Sequence, residues 1–157
     1  MIKAWLGAAA AASLIGVGAQ AAELPGTVWA TQNGDSHVQF EVDETGALVG
    51  RFIWLRAEDE DGVTVFDDNN PDEELRARPL MGLALVYGFE QKGEKWVKGN
   101  IYNPRDGKTY RSSIEPLEDG TLGVKGCVAR VLCQTQVWTP VEATEEAAVA
   151  ADGSDAG

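Results

Sequence analysis

The chain has 157 residues, room for one domain, and carries 13 basic against 25 acidic residues for a formal net charge of −12. That balance repels nucleic acid and anionic membrane surfaces, so the sequence sets both aside as partners. A hydrophobic fraction of 44% still provides for a core.

Lys3 supplies a positive n-region, Ala4 to Val17 an apolar h-region too short to span a membrane, and Ala19-Gln20-Ala21 a small-x-small cleavage site. Residues 1–21 read as a secretory signal peptide. An uncleaved anchor is the alternative, and it lacks a basic stop-transfer flank. Cleavage removes Lys3 from the 13 basic residues and leaves 12 against 25 acidic, a net charge near −13. The expected location is the periplasm or the extracellular space, with no integral membrane segment after cleavage. The mature domain spans residues 22–141.

The first β-like run is Gly26 to Thr31, and Asn33-Gly34 turns the chain. His37 to Val42 then alternates, with Val38, Phe40 and Val42 on one face and His37, Gln39 and Glu41 on the other. In Ala47 to Leu55, Leu48, Phe52 and Trp54 share a face with Gly50, which permits a bend. Arg56 to Asn69 is a long acidic loop, and such loops in compact domains are usually functional or disordered.

Asn70 is placed to cap a short helical turn with Pro71 first and Asp72 and Glu73 in its first turn, where exposed backbone N–H groups favour negative charge. Pro79 ends that turn, and the unbroken apolar run Leu80 to Leu85 suits a strand buried on both faces. After a turn at Gly93 come Trp96 to Tyr102, the strong turn Asn103-Pro104-Arg105-Asp106-Gly107, and Lys108 to Leu117 as the partner strand. Thr121 to Val128 and Cys133 to Thr139 complete the count at about eight strands. An all-β fold follows. Sequential antiparallel hairpins remove their edges by closing into an up-and-down barrel, with a two-layer sandwich as the alternative. Residues 142–157 are rich in Ala, Glu, Asp and Gly without an aromatic residue, the composition of a disordered acidic tail.

Cys127 and Cys133 are expected to form a disulfide in an oxidising compartment, closing a small loop worth about 2 kcal/mol on the chain-entropy argument. Two buried thiols are the alternative. A metal site lacks neighbouring ligands, and the spacing does not fit Cys-x-x-Cys redox chemistry.

The runs NPDEELRARPLMGL, KWVKGNIYNPRDGKTY and QTQVWTP resemble those of domain-of-unknown-function family 2147, small exported bacterial proteins, over about residues 24–140. Its Asn-Pro-Asp and Leu-x-x-Arg-Pro signatures fall on Asn70, Pro71 and Asp72 and on Leu75, Arg76, Arg78 and Pro79. Its hairpin motif falls on Ile101, Tyr102, Pro104, Asp106 and Gly107, and its terminal tryptophan on Trp138. The resemblance implies a lipocalin-like, calycin-type barrel and brings no activity with it.

Candidate chemistry is thin. The acidic loop invites calcium, but an EF-hand register begun at Ala57 has alanine as first ligand and Asp68, not glutamate, as twelfth, so a solvated loop is expected. The single histidine, His37, lies on a polar strand face, and Ser112 and Ser113 lack a nucleophile-elbow setting. No enzyme, metal or cofactor is expected, although an uncharacterised hydrolase remains a third alternative.

Arg76 and Arg78 have two readings. Either they pair with Asp67, Asp68 or Asp72 and hold the loop to the rim, or they clamp the carboxylate or phosphate of a ligand. Trp54, Trp96, Tyr102 and Trp138 are the aromatic candidates for lining an apolar pocket, with simple core packing as the other reading. The expected function is binding of a small apolar or amphipathic ligand, head group at Arg76 and Arg78. The alternative is a filled barrel that acts as a structural or interaction protein of the envelope through its acidic surface.

Overall fold

The computed structural model describes residues 23–142; the stretch read as a signal peptide, residues 1–21, and residues 143–157 of the one read as a disordered acidic tail lie outside them. Eight strands run in chain order: β1 (Val28–Ala30), β2 (Ser36–Val42), β3 (Leu48–Leu55), β4 (Ala84–Lys92), β5 (Lys95–Asn103), β6 (Lys108–Pro116), β7 (Leu122–Val128) and β8 (Leu132–Pro140). Each pairs antiparallel with the next, and β1 meets β8 through Trp29↔Pro140 and Ala30↔Thr139, so the sheet closes as a barrel. Closure is what the strand count called for, and the sandwich falls away.

Cross-strand pairs carry one apolar face around the ring: Val38↔Phe52, Phe40↔Gly50, Gly50↔Val86, Trp96↔Ile114, Ile114↔Val124 and Leu122↔Trp138. Phe40, Phe89 and Trp138 at its centre are fully buried, and the rings of Phe40 and Trp138 lie 6.2 Å apart. The interior is packed with side chains. Two glycines make room for them. A Cβ on Gly99 would stand 2.3 Å from the Phe89 ring, and one on Gly50 would stand 2.6 Å from Val86 Cγ2. Overfilling such a core typically costs about 1–3 kcal/mol.

Four expectations are corrected. A register shift between His37 and Val38 pairs Trp54 with His37 and Phe52 with Val38, so Trp54 leaves the core-facing series and stacks on His37 at 4.4 Å. The acidic loop opens with a helix, α1 (Arg56–Asp61), closed by Gly62 at φ 65° and buried nowhere along its length. The short helical turn is a 3-10 turn over Glu73–Leu75, capped by Asp72 rather than Asn70. Leu80 to Leu83 is not strand: Gly82 adopts φ 79°, Leu83 N–H donates to Leu80 O, and β4 begins at Ala84. Leu80 is instead an anchor in the core.

The long connection from β3 to β4 forms a strap with a short stem. Leu80 N–H donates to Val65 O, Asp67 N–H donates to Arg78 O, and Phe66 bridges Pro79. Residues 67–78 beyond that stem run to the turn between β5 and β6. There Asn69 Nδ2 donates to Pro104 O at 3.0 Å. Gly107, at φ 69°, lies under the strap so closely that a Cβ would come within 2.0 Å of Asn69 O.

Candidate functional site

Alternation along β5 turns Tyr102 outward. Ile101 packs on the core and pairs with Val86, whereas Tyr102 pairs with exposed Thr109 and belongs to the opposite face. Tyr102 is nevertheless only 7% exposed, because the strap covers it. The strap brings Asp67 down onto the ring with no exposure at all.

A buried carboxylate needs partners, and Asp67 has three. Tyr102 donates its hydroxyl to Oδ1 at 2.5 Å, and Asn70 Nδ2 donates to Oδ2 at 2.7 Å. Arg78 brings Nε to Oδ2 at 2.9 Å and Nη2 to the same oxygen at 2.8 Å. Burial alone would raise the Asp67 carboxyl, but the hydrogen bonds from Tyr102, Asn70 and Arg78 outweigh it and hold the group below its ordinary value. Tyr102 moves the other way. Burial, then the bond to the Asp67 carboxylate, pushes its hydroxyl up to about 12. The Arg78 guanidinium also lies over the Tyr102 ring, 5.7 Å from its centroid.

Asn70 ties this cluster to the strap's own backbone. Its Oδ1 accepts from Asp72 N–H, its carbonyl accepts from Arg76 Nε at 2.8 Å, and its Nδ2 also reaches the Tyr102 hydroxyl at 3.2 Å. The two arginines therefore part company. Arg78 pairs with Asp67, one of the three acids named for it, whereas Arg76 holds Asn70 O and an exposed Glu73.

Beside the network an open cleft of about 370 Å³ runs along the outer wall, lined among others by Arg78, Leu83, Ala84, Tyr87, Tyr102 and Thr109. Asp67 engages only Nε and Nη2 of Arg78; Nη1 has no partner among the described residues. The cleft thus offers a cationic edge, two phenol rings and an apolar floor. Of the six residues proposed from sequence, Arg78 and Tyr102 meet here. Arg76 stands on the strap's exposed side, Trp54 on His37, and Trp96 and Trp138 in the core. From sequence, Asp67 is only one of three acids able to pair with the arginines and Asn70 only a cap; their burial together against Tyr102, and Tyr87 as a wall of the cleft, are what the structure adds. The one available signal was the Asn-Asn-Pro-Asp run beside an arginine two residues from another, which marks a tied-down loop without naming the buried acid.

The core tryptophans differ in their polar tips. Trp138 Nε1 donates to Gln136 Oε1 at 3.0 Å, whereas Trp96 Nε1 and Ser112 Oγ have no partner among the described residues. Cys127 and Cys133 are bonded to each other. Among the described residues no three His, Cys, Asp or Glu side chains converge as metal ligands, and no helix is long and apolar enough to cross a membrane.

No curated protein matches the chain. Among solved structures, protein HP1028 from the human pathogen Helicobacter pylori, described as belonging to the lipocalin family, is similar with a TM-score of 0.67 and 25% identity, over 82% of this chain and 89% of that one. The closed eight-stranded ring and that likeness agree on a lipocalin-like barrel. The sequence pattern of the bacterial family described as "Uncharacterized protein conserved in bacteria (DUF2147)" matches residues 27–140, nearly the whole described barrel, and the chain belongs to that family.

Proposed function

We propose that this is an exported, non-enzymatic binding module that takes a small amphipathic anion in the outer cleft rather than inside the barrel. The carrying observation is the Arg78 guanidinium, which the buried Asp67 fixes by two nitrogens while its Nη1 edge stays unengaged beside the cleft. A guanidinium held this way has already lost its rotamer freedom, so an incoming carboxylate or phosphate meets a preorganised donor. Leu83, Ala84 and Tyr87 supply the apolar contact. A volume of about 370 Å³ lies at the small end of ligand sites and suits a short-chain amphiphile. The lipocalin description of the similar structure supports a ligand-binding role in general terms.

Titration with decanoate, against decanol as the uncharged control, tests this reading. The carboxylate is expected to bind saturably and the alcohol at least tenfold more weakly. Tyr87→Ala, on an exposed side chain outside the Asp67 network, should weaken decanoate and leave melting unchanged. Equal binding of acid and alcohol, or an unaffected Tyr87→Ala, would sink it. Export rests on residues 1–21 and fits the disulfide. Fractionated cells are expected to hold the protein in the periplasm as a chain beginning near Ala22; a cytoplasmic chain that keeps Met1 would contradict export, and an envelope-bound one would point to the uncleaved anchor.

A second reading has its own support in the packed interior and the acidic helix α1, none of whose residues is buried. In it, the barrel is an interaction protein that meets a basic envelope partner. Neutralising Glu58, Asp59, Glu60 and Asp61 together should then abolish capture of that partner while leaving decanoate binding intact.

A further inference from the structure

The cations of this acidic chain are unevenly used. Between residues 23 and 142 there are twelve, and six of them, Arg51, Arg76, Arg78, Lys95, Lys98 and Arg105, form ion pairs. Of the six without one, Lys108, Arg111, Lys125 and Arg130 all belong to β6 and the β7–β8 hairpin. The twenty residues from Thr121 to Pro140 contain no aspartate or glutamate, in a chain with 25 of them. Composition does not produce such a gap by spreading charge evenly.

The same hairpin ends in exposed aliphatic side chains. Val131 is 92% exposed, Leu132 69% and Val128 53%, the first on the three-residue tip 129–131, in which Ala129 takes φ 59°, and the other two as the strand pair that flanks it. Backbone strain of that kind persists where the surroundings hold it, and here the Cys127–Cys133 disulfide ties the two strands directly beneath the tip. Against the hairpin's flank lies a second cavity of about 620 Å³, whose lining includes Lys108, Tyr110, Arg111 and Arg130 and no acidic residue. It meets the outer cleft only at Thr109.

We infer that this hairpin docks the protein on an anionic phospholipid surface, with Val128, Val131 and Leu132 entering the boundary between head groups and acyl chains and a lipid phosphate held among Lys108, Arg111 and Arg130. Aliphatic tips flanked by long cationic side chains match that layered environment, the apolar part going in and the charged heads staying at phosphate level. The net charge of −12 does not forbid it. Screening limits the field to roughly 8 Å at physiological salt, so the charge felt at the hairpin is set by its own cations and nearest neighbours and not by the net charge. The competing acids are those that share this end of the barrel, Asp106 beside Lys108 and the strap. Net charge alone therefore does not decide whether this hairpin meets an anionic surface. This site is independent of the cleft beside Arg78.

Flotation of the oxidised mature protein with phosphatidylglycerol–phosphatidylcholine vesicles, against phosphatidylcholine alone, tests the inference. Binding is expected only to the anionic vesicles, weakening as salt rises. Arg111→Gln with Arg130→Gln should weaken it by about 25-fold, at about fivefold for each cation near the surface. Val131→Ser with Leu132→Ser should also release the protein. Both pairs are exposed, so an unchanged melting curve is expected and excludes misfolding. Equal binding to neutral vesicles, wild-type affinity in either double variant, or full release by millimolar inorganic phosphate at constant ionic strength would overturn it. Dimerisation that vanishes with Val131→Ser and Leu132→Ser, without vesicle binding, would overturn it in favour of a second copy as the occupant.

Discussion

The strap and the β7–β8 hairpin are the two excursions that leave the barrel wall, and they solve opposite problems. The strap turns its central charges on one another, with Arg78 paired to Asp67 and Asp67 fully buried under three donors. The hairpin carries cations with no acid and aliphatic side chains with no cover. Polar groups turned inward must be satisfied by the protein itself, whereas groups left unsatisfied at the surface are available to something else. That contrast separates the groups the fold uses from those it leaves available more cleanly than residue type does.

The largest effect is expected at the strap. Arg78→Ala strands a buried carboxylate, which should cost about 3–5 kcal/mol, nearer the lower figure because Tyr102 and Asn70 still donate to Asp67. Chemical denaturation measures this. A loss under about 1 kcal/mol would mean that the strap is not held by the pair. Tyr102→Phe removes one donor to the carboxylate and should cost about 1–3 kcal/mol.

The same variant separates two ends of the pH profile. Tyr102 is raised from 10.0 to about 12 in the folded protein, so its contribution is intact below pH 10.0 and lost as pH rises towards about 12. Tyr102→Phe should flatten that alkaline decline. Asp67 lies below its ordinary 3.8, so its contribution is present above that value and is lost as pH falls through the lower folded one. The acid limb should persist in Tyr102→Phe, though weakened.

Reducing the disulfide comes next, at about 2 kcal/mol for the small loop between Cys127 and Cys133. The smallest stability effect is expected at the hairpin tip, where Val131→Ser should stay within about 0.5 kcal/mol because the side chain is 92% exposed. A large loss there would erase the contrast between the two excursions.

The barrel was legible because period-two alternation and turn chemistry are local signals. Val38 and Phe40 alternate as written, and Asn103 to Gly107 turns as its residues require. What failed was whatever depended on distant partners. Trp54 left the interior through a bulge whose cause is the pairing with β2, and nothing within β3 announces it. Leu80 to Leu85 looked like a buried strand because core anchoring and strand membership leave the same apolar run; the strap's stem, closed from Val65, decides between them. At the site, Arg78 and Tyr102 were found by residue type. Asp67 was only one of several acids until the fold buried it 35 residues away from its tyrosine partner.

The most direct test of binding at the outer wall is a two-dimensional amide and indole nuclear magnetic resonance titration with decanoate. Saturable shifts centred on Arg78, Ala84 and Tyr87, with the Trp138 indole unmoved, are the predicted result. A saturable shift of the Trp138 indole together with Phe40 and Phe89, leaving the cleft residues silent, would place the ligand inside the barrel and contradict the account.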